Sequence, residues 1–170
     1  MMSKKILIGA LAVLVMAAGL GWRHVQAAGS VLKLTADDYA EIYDLYAKYT
    51  RACDMGGAGD GSDYAAVFTP DGMFGASQGP EALKKVITNF HKRLQDEGWS
   101  SRHTYTTILL TPTAEGVKGS VYALIFNVTA KPPFVDHSGV YDDLLVKTRV
   151  GWRFKKRQFK NSTTFQPGQP

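Results

Sequence analysis

From Ser101 to Lys160 the apolar residues of this 170-residue chain follow a period of two; before Ser101 they do not. That change of period constrains the fold more than any other feature. Upstream, Tyr39, Ile42, Tyr46, Tyr49 and Cys53 recur at three and four, as one face of a helix does. Leu83, Val86, Ile87, Phe90 and Leu94 form a second such face. Downstream, residues 101–113, 117–130, 137–149 and 152–160 read as strands, divided by turn residues at Ala114-Glu115-Gly116, Pro132-Pro133 and Gly151. Helices first and strands last is α+β order, not alternating βαβ. The expected architecture is a cone-shaped α+β barrel, with about three N-terminal helices packed on a curved, mostly antiparallel sheet.

The helical half carries its own punctuation. Thr35 followed by Asp38 forms a capping box with Asp in place of Glu, and the helix it opens ends in the carboxylate of Asp54. Residues 55–62 are glycine-rich but lack the Lys-Ser/Thr ending and preceding strand of a phosphate loop, so they read as a flexible connection. Ser62 is expected to cap a short helix over 63–68, with a turn at 69–72 and a short strand at 73–77. Gly79-Pro80-Glu81 opens a second long helix, with Lys84, Lys85, Lys92 and Arg93 on its solvated side, and Gly98 ends it. His91 is expected to be exposed among those charges.

The first 27 residues read as a targeting segment. Lys4 and Lys5 precede an apolar run over 6–20, and Val25 and Ala27 stand at the −3 and −1 positions of a cleavage site. An uncleaved anchor is the alternative, although the run is short of the roughly 20 residues a span requires. Residues 28–34 are then a lead-in, 35–160 the domain and 161–170 a disordered tail, and the mature protein is periplasmic or secreted. Cleavage removes Lys4, Lys5 and Arg23 and lowers the formal charge from +5 to +2. Such a balance makes no case for nucleic acid, and no stable membrane insertion is expected after cleavage. Lys147, Arg149, Arg153, Lys155, Lys156, Arg157 and Lys160 interleave with Trp152, Phe154 and Phe159. They are expected to form a solvated basic face over core aromatics; a surface for nucleic acid or anionic lipid is the alternative.

Cys53 is the only cysteine, which excludes an intramolecular disulfide. On the helix stripe it reads as a small buried hydrophobe. The histidines left after cleavage, His91, His103 and His137, include no close pair, so no metal site is expected, and nothing calls for a cofactor. The strand over 117–130 is apolar on both faces, so its far side needs cover. A second copy of the chain is the simplest source, which makes a homodimer through the sheet face the expected assembly.

The ordered set of local motifs resembles the SnoaL-like branch of the nuclear transport factor 2-like superfamily. The set is YAKYTRACD over 46–54, YAAVFTPDG over 64–72, Gly79-Pro80-Glu81-Ala82-Leu83, Arg102-His103, Gly139-Val140-Tyr141-Asp142-Asp143 and Gly151-Trp152-Arg153-Phe154. The resemblance covers about residues 35–160. It implies a conical pocket between a bent sheet and the helices. Members include scytalone dehydratase, hexachlorocyclohexane dehydrochlorinase, ketosteroid isomerase, limonene epoxide hydrolase and polyketide cyclases, and other members have no catalysis, so the fold does not fix the reaction. In the dehydratase and dehydrochlorinase an Asp at the end of the first helix orients a His at the start of a later strand. The matching positions are Asp54 and His103. The chain departs from the dehydratase pattern in having Thr106-Thr107 where an Asn is frequent, Cys53 in place of a Tyr, and Phe126-Asn127-Val128 in place of a second catalytic His.

The chemistry implied is general. A carboxylate that accepts an imidazole N–H fixes the ring's tautomer and leaves the other nitrogen as a base near neutral pH. In an apolar pocket such a pair removes a proton alpha to a carbonyl or beta to a leaving group. Period two places His103, Tyr105 and Thr107 on one strand face, and His137, Tyr141 and Asp143 on one face of another. Tyr46, Tyr105, Tyr141 and Asp143 are thus the expected pocket residues, with a tyrosine donating to a developing oxyanion, and His137 belongs at the rim. The expected ligand is a small, mostly apolar organic molecule and the expected activity that of a cofactor-independent lyase or isomerase. The alternative is a non-catalytic ligand-binding, accessory or interaction domain.

Overall fold

In the computed structural model, residues 32–55 and 59–164 are described; the expected signal segment over 1–27, most of the lead-in and residues 165–170 lie outside them. The chain runs α1 (Ala36–Met55), α2 (Ser62–Ala66), β1 (Phe68–Phe74), β2 (Ser77–Gln78), α3 (Pro80–Asp96), β3 (Ser101–Thr113), β4 (Gly116–Asn127), β5 (Phe134–Thr148) and β6 (Gly151–Thr164). The six strands form one curved sheet in the order β2-β1-β6-β5-β4-β3. Every pairing is antiparallel except β1 with β6. The helices and the inner face of the sheet enclose the core, and this is the α+β cone expected from the change of period.

α1 starts where Thr35 and Asp38 say it should. The Thr35 amide donates to Asp38 Oδ2 at 2.9 Å and the Asp38 amide to Thr35 Oγ1 at 3.2 Å. Asp38 does more than cap. Its Oδ1 also accepts from Lys147 Nζ on β5 and Trp152 Nε1 on β6, which ties the helix start to the sheet. Asp38 is accordingly buried, while Tyr39, expected on the packing stripe, is 43% exposed. The buried face is Ile42, Leu45, Tyr46, Tyr49, Ala52 and Cys53, each large apolar side chain contributing about 1.5–3 kcal/mol.

Several boundaries differ from expectation. Ser62 is not the cap of α2: Gly61 is, with φ +80, and the Ser62 hydroxyl bonds to Asp60. A side chain at Gly61 would put its Cβ 2.7 Å from Ile87 on α3, so the position also serves helix–helix approach. Residues 69–72 lie within β1 rather than forming a free turn. Parallel pairing to β6, Phe68 with Phe154 and Met73 with Lys156, captures the segment, and its Pro-Asp-Gly survives as a register irregularity. β6 continues to Thr164, pairing with His137, so residues 161–164 of the expected tail are strand. His91 is not free on the helix surface. Its Nε2 donates to the Cys53 carbonyl at 2.8 Å, joining α3 to the last turn of α1.

Bulges decide which residues face inward. Thr107, φ +51, is the extra residue where the β3–β4 register shifts, and the inward phase passes from Tyr105 to Ile108 and Leu110. Thr107 is exposed, not on the face of His103 and Tyr105. On β6, Leu145 pairs with Phe154 and Leu144 with Lys156, leaving Lys155 as the extra residue. Beyond it the odd positions face inward, and Arg157 is buried completely. It does not belong to the solvated basic face expected for it, because a one-residue slip exchanges the two faces of a strand.

Candidate active site

Asp54 lies in the last turn of α1, and β3 begins beside it. His103 Nδ1 lies 2.6 Å from Asp54 Oδ1, the His103 amide donates to Oδ2 at 2.7 Å, and the Ser101 hydroxyl donates to Oδ1 at 2.9 Å. The two side chains retain only 5% and 4% exposure. A carboxylate is an acceptor, so Nδ1 is the donor of this bond, and in the neutral ring the lone pair is then on Nε2. The carboxylate accepts from two directions of the β3 backbone and side chains, which fixes the orientation of the ring. His103 is packed edgewise against Phe90 of α3 and Tyr105 of β3.

His103 lines a cavity of about 310 Å³ between the helices and the inner sheet face, at the small end of small-molecule sites, roughly 300–1,000 Å³. Its walls are largely aromatic: Tyr49, Tyr64, Phe74, Phe90, Tyr141 and Phe159. Cys53 also lines it; burial pushes the thiol well above its ordinary range, so it serves as wall rather than nucleophile. His137 stands in the lining as expected, paired with Asp136. Burial pushes the Tyr141 phenol up to about 12, which keeps it a neutral O–H donor.

Of the expected pocket residues only Tyr141 lines this cavity. Tyr46, Tyr105 and Asp143 lie in the adjoining layer, around Arg157. The guanidinium carbon is 3.8 Å from the Tyr141 ring centroid and 4.1 Å from that of Tyr49, with Phe154, Tyr46 and Tyr105 next. Its Nη1 reaches Asp143 Oδ2 at 3.1 Å, and Tyr46 donates to the same oxygen at 2.8 Å. Gly119, beside Asp143 on β4, is required here: a Cβ would sit 2.3 Å from the Tyr46 hydroxyl. Burial works against the guanidinium charge, and Asp143 with the surrounding phenols restores it. Burial likewise pushes Asp143 up to about 6, against the pull of Arg157 and Tyr46. Tyr49 and Tyr141 are shared by the cage and the cavity, so Arg157 supports the cavity wall from behind. Strict alternation from Trp152 and Phe154 hides Arg157. The signal that reveals it is Phe159, an aromatic of opposite parity, which marks a phase change between 154 and 159.

Among the described residues no group of three or more His, Cys, Asp or Glu is arranged to hold a metal ion, and no helix is long and apolar enough to cross a membrane. The profile of the SnoaL-like domain matches residues 34–158. No curated protein sequence matches the chain. Among solved structures the chain is similar to ActVI-ORFA from Streptomyces coelicolor, at 24% identity and TM-score 0.66, over 78% of this chain and 100% of that one. It is also similar to a Catenulispora acidiphila protein in complex with S-DNPA, at 25% identity and TM-score 0.64, over 75% and 95%. An NTF2-like protein with a cystatin-like fold from Novosphingobium aromaticivorans, 19% identical, aligns with TM-score 0.61 over 78% and 84%.

Proposed function

The chain belongs to the SnoaL-like domain family, and from that premise we propose that it binds a small, mostly apolar organic molecule beside His103 and removes a proton from it. The observation that carries this reading is the Asp54–His103 pair: Nδ1 is committed to the carboxylate at 2.6 Å and the ring faces a cavity. His103 Nε2 is the base. It takes a proton from a carbon made acidic by a carbonyl or lying beta to a leaving group, and the imidazolium formed is stabilised by Asp54. Tyr141 donates its phenol hydrogen to the oxygen on which charge develops. The complex of the similar Catenulispora acidiphila protein with S-DNPA supports a ligand role for this fold. The class of reaction is that of a lyase or isomerase.

The test is turnover of dehydration and isomerisation substrates by protein starting at residue 28. His103→Ala is expected to abolish turnover and Asp54→Asn to lower it by about 10²–10⁴-fold. Turnover that survives His103→Ala would sink the proposal. Ligand binding without turnover of any substrate would establish the non-catalytic reading instead. We further propose export, on the composition of residues 1–27. N-terminal sequencing of secreted protein should begin at Ala28; a retained Met1 would overturn cleavage.

A further inference from the structure

Among the described residues the cavity beside His103 has no Asp or Glu in its lining, and the only permanently charged one is Arg93. Arg93 is exposed, as its place on the solvated side of α3 predicts, and its guanidinium carbon lies 5.4 Å from the centroid of Phe90 at the cavity. Phe90 in turn packs against His103, with ring centroids 6.1 Å apart. A single aromatic ring therefore separates the cation from the imidazole. Of the other cations of the same helix, Lys92 pairs with Asp96 and Lys84 with Glu81 and Asp60, while Lys85 is exposed and does not line the cavity. Arg93 makes no ion pair among the described residues.

An apolar, aromatic-walled cavity with one uncompensated guanidinium selects for a definite chemistry. The body of the ligand must be apolar and flat enough to lie against Phe90, and one end must bear a negatively charged oxygen that Arg93 can receive in its planar fork. We propose that the ligand is an aromatic or alicyclic acid, a carboxylate or an acidic phenol, anchored by Arg93 and thereby oriented with its reactive carbon toward His103. Arg93 is in this view the specificity-determining residue of the site. The inference rests on the cavity being the ligand site, and it does not require that His103 be catalytic. An anchored anion brings the preorganisation that a wholly apolar contact lacks, since the guanidinium fixes direction as well as affinity.

The probes are 2-naphthylacetate and its neutral isostere 2-naphthylacetamide, titrated calorimetrically into protein starting at residue 28. Wild-type protein is expected to bind the acetate about tenfold more tightly than the amide. Arg93→Gln should abolish that preference by weakening the acetate more than the amide, while Arg93→Lys should retain part of it. The side chain is exposed, so these variants fold. Equal affinity for the two probes, a preference that survives Arg93→Gln, or binding of neither probe would each overturn the proposal. His103→Ala separates the two readings. A preference retained in His103→Ala in a protein with no turnover leaves anion selection standing and removes the base. Turnover of neutral substrates that depends on His103, with no preference for the acid, does the reverse.

Discussion

Arg157 and Asp143 show how one side chain is held against strong opposing terms. A guanidinium with no exposure at all carries a large desolvation cost, offset by an ion pair at 3.1 Å and five aromatic rings. Removing Arg157 leaves Asp143 either ionised without its partner in a dry layer or forced to take up a proton, and both are costly. Arg157→Met is therefore expected to destabilise the protein by about 3–5 kcal/mol. Adding Asp143→Asn should recover most of this, because the Asn carbonyl can still accept from Tyr46 while the stranded charge is gone. Urea midpoints of the single and double variants measure it, and a single variant as stable as wild type would contradict the account. Asp54 and His103 present the opposite case, in which the pairing was expected from matched positions and the geometry agrees. Residue identity alone could not separate these two buried pairs. Both are an acid with a base, and only burial, partners and the adjoining cavity tell a candidate base from a packing device.

At the scale of the element, α1 is fixed at both ends by carboxylates. At its start, the hydrogen bond from Lys147, with those from Thr35 and Trp152, holds Asp38 well below the usual carboxylate range. A depressed folded value means that the unfolded chain binds the proton more readily. The contribution is complete above the ordinary value of 3.8 and is lost as pH falls below it. Wild-type stability should fall on acidification through that window, and Asp38→Ala should flatten this part of the profile while costing about 1–2 kcal/mol at neutral pH. Thermal unfolding from pH 7 to pH 2 measures both; an unchanged acid limb in the variant would show that Asp38 is not responsible. The capping box was legible in the sequence because it is local, three residues apart. The links to Lys147 and Trp152 span more than a hundred residues and were not. The turn expected at 69–72 failed for the same reason: local turn chemistry competes with pairing to β6, and the pairing prevails.

Across the whole molecule, the helices cover one face of the sheet. The other bears Leu109 and Tyr122, 63% and 53% exposed, with Leu124 and Phe126 partly covered further along β4 and the Lys160–Asp142 ion pair on the neighbouring strands. We propose that a second copy of the chain covers this face. Light scattering at micromolar concentration should give a dimer mass, and Tyr122→Lys should give the monomer with an unchanged fold. A monomeric wild-type protein would overturn the proposal.

Local patterns were enough to determine the α+β order, the extents of both long helices within a few residues and the capping box, while the match of Asp54 to His103 was implied by the family resemblance. Each of these rests on spacing along the chain or on an ordered set of motifs, and spacing is what a sequence records. Tertiary structure alone decided that Thr107 turns outward, that Arg157 turns inward, that His91 clasps the end of α1, and that Tyr46, Tyr105 and Asp143 form a cage rather than a cavity wall. For Thr107 and Arg157 the physical reason is the β-bulge; for the others it is contacts between elements far apart in the chain. One extra residue in β3 and one in β6 reverse the alternation downstream, and the pairing partner that creates each bulge lies elsewhere in the chain. The aromatic parity of Phe154 and Phe159 carries a trace of that reversal; the buried guanidinium it admits appears only once the strands are paired.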